Sequence, residues 1–134
     1  MTPGSARAGV TFFAACLGLG GAALLFAPRE MADSVGAAGP DVMYQLLGAA
    51  LLGLGSMNYI ARGSALGGIY GRAVVTADHV HFTIGAIVLC KYAWRGPMGP
   101  ALLVATAAHV AGAIFFNLLL FRGVVQPASA VSES

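Results

Sequence analysis

A chain of 134 residues with 58% hydrophobic and only 9% charged side chains lacks the polar coat of a soluble domain, which carries about 25% charged residues. Lipid must be the solvent for much of it. The net charge of +2 is small and scattered, which excludes the concentrated basic patch of a nucleic-acid binder.

Met1 to Ala8 read as a short polar lead, and the first predicted span runs from Gly9 to Ala27. Arg7 before an apolar run resembles a signal peptide. However, Leu25-Phe26-Ala27-Pro28 has no small residue at the −3 position and sets a proline after the would-be cut, so a retained span is expected. Ala14, Gly18 and Ala22 recur at every fourth position and offer a small-residue face to another helix. Pro28 ends the span.

Pro28 to Asp41 forms the longest predicted loop and carries Glu30, Asp33 and Asp41, with Gly36, Gly39 and Pro40 as breakers. Its first part, Pro28 to Val35, has two readings. One is a short interfacial helix with Met31 and Val35 on one side, and the other is an irregular polar loop.

The second predicted span is Val42 to Ala61, where Ala49 and Gly53 give another small-residue stripe and Asn58 lies near the end. Arg62 to Arg72 is a Gly-rich basic loop. No strand precedes it and no Lys-Ser/Thr pair closes it, so it is not a phosphate-cradling loop.

The third span, Ala73 to Trp94, carries Asp78, His79 and His81 inside an apolar run. Lys91, Tyr92, Trp94 and Arg95 crowd its end as an interfacial belt. A tight turn from Arg95 to Pro100 makes the fourth span, Ala101 to Phe121, its antiparallel neighbour. The tail Gly123 to Ser134 is small and polar and is expected to be mobile. The fold class is therefore all-α: a single domain, residues 1–122, built as a four-transmembrane-helix up-down-up-down bundle. Arg7, Arg62, Arg72 and Arg122 against Arg29, Lys91 and Arg95 place both termini in the cytoplasm, by a margin of one residue.

Depth along the helices groups the polar residues. At about 1.5 Å per residue, Asn58, Asp78, His79 and Asn117 all fall roughly 5 to 9 Å from one membrane face, while His81 and His109 lie deeper. These four form the expected polar cluster. Asp78 would pair there with Arg62 or Arg122 reaching in from the interface, or hydrogen-bond a histidine. Polar side chains join membrane helices at about 0.6 to 2 kcal/mol each. An ionisable group within a span also marks a functional site by default.

Two sharper readings follow. His81 and His109 are candidate haem b ligands from adjacent helices, with Asp78 or Asn117 supporting them. Asp78 and the histidines could instead carry protons for a coupled carrier, since histidine titrates near neutral pH. His79 and His81 sit about 200° apart around one helix, so they do not share a metal. Asp78-x-x-His81 has the spacing of a di-metal carboxylate motif, but Asp78 is the sole acid inside a predicted span, so no metal site is expected from it. Ser56 and Ser64 have no base at hand, and no catalytic set is expected. Cys16 and Cys90 lie at depths about 15 Å apart, too far for a disulfide, and are expected to be small apolar packers.

Leu46 to Arg62, LLGAALLGLGSMNYIAR, follows an acidic loop and precedes a basic loop and two further spans. Over residues 38 to 122 this pattern resembles the small four-helix bacterial membrane proteins grouped as DoxX-like. The resemblance implies a four-helix bundle in a bacterial inner membrane, sometimes accessory to redox systems. It supplies no catalytic residue. The expected role is a non-catalytic accessory or structural subunit, whose partners are the lipid bilayer and either other membrane subunits or a second copy of itself.

Overall fold

The computed structural model describes residues 1–63 and 68–122, with side chains from position 71 to 121 in the second stretch. The predicted tail from Gly123 lies outside the described residues. Five helices follow one another: α1 Pro3–Phe26, α2 Pro28–Val35, α3 Asp41–Ala61, α4 Gly68–Ala93 and α5 Pro100–Arg122. No strand occurs among the described residues.

Helix α1 begins within the stretch expected to be a polar lead. Thr2 is its N-cap and accepts a hydrogen bond from the Ser5 amide at 3.3 Å, with Pro3 in the first turn. This pairing is a strong start signal that hydropathy does not register. The helix stops where Pro28 cannot continue it, and the same proline starts α2. Of the two readings of Pro28 to Val35, the helix is the one that forms. Gly36 ends it at φ 65, and the Ala37 amide reaches back to the Ala32 carbonyl at 3.0 Å. Met31, Ala32 and Val35 face inward. Arg29 and Asp41 pair at 2.9 Å across the ends of α2 and α3, an exposed link of little energetic weight. Helix α4 starts at Gly68, inside the segment expected to be loop up to Arg72.

The long helices pack as two antiparallel pairs. In the first, α1 meets α3 backbone to backbone. A β-carbon added at Gly21 would lie 2.7 Å from the Gly48 carbonyl oxygen, and one at Gly55 would lie 2.9 Å from the Ala14 carbonyl oxygen and the Gly18 amide. The contact stripe of α3 is thus Gly48 and Gly55. Ala49 and Gly53, the expected stripe, point outward, because adjacent helical positions differ by about 100°. On α1 the stripe runs from Ala14 and Gly18 to Gly21, in place of Ala22.

In the second pair, α4 and α5 interlock through glycines that admit rings: Gly85 seats His109 and Gly112 seats Phe82. An aromatic core joins the two pairs. Phe82 and Phe116 stack at 5.3 Å, and Phe13 of α1 meets Phe82 edge-on at 5.1 Å. Ala6, Val10, Leu17, Val75 and Leu119 complete it.

Outside this core the long helices present Phe12, Leu19, Phe26, Leu46, Ile60, Ile84, Ile87, Val104 and Phe121 to the surroundings. Pro3–Phe26, Gly71–Ala93 and Pro100–Phe121 are each long and apolar enough to cross a membrane. This is the make-up of a small membrane protein. Helix α3 has 21 residues, but Gln45, Ser56 and Asn58 lower its apolarity, and it does not stand among the three. Cys16 and Cys90 are both free and exposed, so the expectation that they act as packers is corrected.

Candidate functional site

The site begins with Asn58 and Asp78, whose side chains are both fully buried. Asn58 sits in the last turn of α3, on the face that Gly55 brings against α1. Asp78 lies on the inner face of α4, in line with Val75 and Phe82. Asn58 Nδ2 donates to Asp78 Oδ1 at 2.8 Å. This bond ties the α1–α3 pair to the α4–α5 pair. The expected pairing of Asp78 with an arginine is corrected for Arg62, which donates to the Tyr59 carbonyl and stacks on the Tyr59 ring at 3.7 Å. Asn58 Oδ1 and Asp78 Oδ2 are buried without a partner among the described residues.

The expected cluster of four separates. His79, half-buried, turns its ring edge-on to Phe121 at 5.8 Å. Asn117 is exposed and lines a shallow outward groove with Thr83, Ala113, Ile114 and Leu118. Its neighbour Phe116 takes the inward position, and that rotation removes Asn117 from the cluster.

His81 and His109 do meet. Their ring centroids are 5.5 Å apart with the planes tilted by 42°. Phe82 packs against both, at 5.1 Å from His81 and 5.5 Å from His109. His109 Nδ1 lies 2.8 Å from the Ala105 carbonyl oxygen. His81 Nε2 is buried with no partner among the described residues. Thr76 and Thr106 instead bond back to the Arg72 and Leu102 carbonyls of their own helices.

Sequence reasoning missed Phe82 as the ring that packs against both imidazoles and Gly112 as its seat. The available signal was their spacing: Asp78, Phe82 and Ala86 repeat along one helical face. No family model matches this chain, and neither a curated protein nor a solved structure does.

Proposed function

We propose that this protein is a non-catalytic accessory or structural subunit of a bacterial inner membrane, which packs with itself or with a larger membrane complex. The supporting observation is the sealed Asn58–Asp78 bond. An acid that serves a substrate has to meet it, whereas Asp78 has no exposed surface and its hydrogen bond joins two helix pairs. In this reading α3 crosses the bilayer beside α1, with Asn58 shielded by its bond to Asp78, which makes four spans. The resemblance of Leu46 to Arg62 to DoxX-like proteins agrees with it. Native membranes solubilised in mild detergent should yield an assembly larger than one chain. A monodisperse monomer with no co-purifying subunit would overturn the proposal.

A second reading is favoured by the meeting of His81 and His109: a redox protein holding haem between them. The absorption spectrum of the purified protein decides it through the Soret band. Against it stands Phe82, which fills one flank where a macrocycle would extend. The sealed Asp78 weighs against a proton-coupled carrier. Asp78→Asn leaving pH-driven flux in liposomes unchanged would remove that alternative.

A further inference from the structure

We propose that His81 and His109 bind a single cuprous ion between α4 and α5, a site that goes beyond the accessory role and stands or falls independently of it. His109 is held in one tautomer. A carbonyl oxygen only accepts, so Nδ1, at 2.8 Å from the Ala105 oxygen, carries the hydrogen and donates it. Nε2 is then left with its lone pair. A backbone carbonyl holding the remote N–H is the usual support of a metal-bound histidine.

That Nε2 is turned toward α4. A β-carbon placed on Gly85 would lie 2.9 Å from it, and His81 stands one turn earlier on the same helix. His81 Nε2 is itself buried and unpartnered among the described residues.

The spacing fits one ion. Two metal–nitrogen bonds of about 2 Å, with the ring radii behind them, put the centroids about 5 Å apart for a tetrahedral angle at the metal and about 6 Å apart for a linear one. The observed 5.5 Å lies between these limits. Phe82, stacked on Phe116, packs against both rings, edge-on to His81 and tilted to His109.

Charge selects the ion. Imidazole suits copper, zinc, iron and nickel. Among the described residues no third His, Cys, Asp or Glu joins the pair, so the site offers no counter-charge. The cost of carrying an ion into apolar surroundings grows with the square of its charge, which favours a monovalent ion. Cuprous copper is the monovalent member of the group.

The test uses the full chain in mild detergent, titrated anaerobically with copper(I) against a chromophoric copper(I) chelator. One copper per chain should be withheld from the chelator. His81→Gln and His109→Gln should each weaken binding at least tenfold, while His79→Gln leaves it unchanged. Zinc should bind at least tenfold more weakly than copper(I). X-ray absorption of the bound copper should show nitrogen and no sulfur neighbours. Wild type that holds no more copper than the double variant, equal loss in His79→Gln, zinc bound as tightly, or sulfur coordination would each overturn the proposal. Where the glutamine variants fail to fold, the wild-type chain suffices. Copper(I) should protect His81 and His109 from imidazole acylation, and unprotected histidines would refute the site.

Discussion

Asn58 and Asp78 show how one hydrogen bond organises a bundle that is otherwise apolar. Both are fully buried, and each is the other's partner at 2.8 Å. Removing one partner leaves the other buried and unsatisfied, which costs about 1–3 kcal/mol. Removing both eliminates the orphan as well as the bond. Asn58→Ala and Asp78→Ala should therefore each destabilise the protein in detergent, and the double variant should lose less than their sum, by about 1 kcal/mol. Thermal unfolding of the four proteins measures this, and strict additivity would show that the pair is not coupled. Gly112 gives a second prediction. Phe82 occupies the place of its absent β-carbon and is itself locked in the aromatic core. Gly112→Ala should cost about 1–3 kcal/mol by overpacking, read as a lowered unfolding midpoint. An unchanged midpoint would mean that Phe82 has room to shift.

The residue scale also marks where the sequence could be read and where it could not. That Asp78 would be inside was legible, because an ionisable group in an apolar run has to find shelter. That Asn58 would stand near it was legible from depth. Depth is blind to rotation, however: it set Asn117 level with the pair, while Phe116, one position and about 100° away, took the inward place. The meeting of His81 and His109 was legible as a possibility. The glycine that admits it, Gly85, gains its meaning only from the helix opposite.

At the scale of elements, the α1–α3 pair depends on missing β-carbons. At Gly21 and Gly48 an added methyl would lie 2.7 Å and 2.6 Å from backbone oxygen of the partner helix, and backbone cannot swing aside as a side chain can. Gly21→Ala and Gly48→Ala should push the helices apart. Gly53→Ala meets nothing within 4 Å and should be neutral or stabilising by up to about 1 kcal/mol through helix propensity. Comparing unfolding midpoints of the three variants tests the stripe. Equal effects would mean that the close approach carries no weight. Spacing alone suggested Ala49 and Gly53, also small, which lie one position from Gly48 and two from Gly55. Small residues are so common in this chain that composition does not single out the helix face in use.

The whole molecule has two ends, and the fold says which segments share them. A β-carbon on Gly99 would lie 3.7 Å from the Ser34 carbonyl, so α2 sits beside the turn that leads from α4 into α5. The start of α1, the end of α3 and the end of α5 belong to the opposite end. If all four long helices cross the bilayer, Ser5 and Gly63 lie on one side, and Ser34 and Gly96 on the other. All four positions are exposed, which makes them suitable for labelling. The background is Cys16→Ser with Cys90→Ser, needed because both native thiols are exposed. Single cysteines at the four positions should react with a membrane-impermeant maleimide in two pairs: 34 with 96 from outside intact cells, and 5 with 63 only after the membrane is opened. This is the orientation expected from Arg7, Arg62, Arg72 and Arg122, which outnumber Arg29, Lys91 and Arg95 by one. Helix α3 is the element at stake, being less apolar than its neighbours. Were it to turn back within the membrane, position 63 would label together with 34, and the four-span bundle would give way to three crossings. Helix α3 runs along α1 from the Gly21–Gly48 contact to the Ala14–Gly55 contact. An α3 lying flat on the surface could not keep that antiparallel contact with a spanning α1, so the labelling pattern and the glycine stripe test the same arrangement.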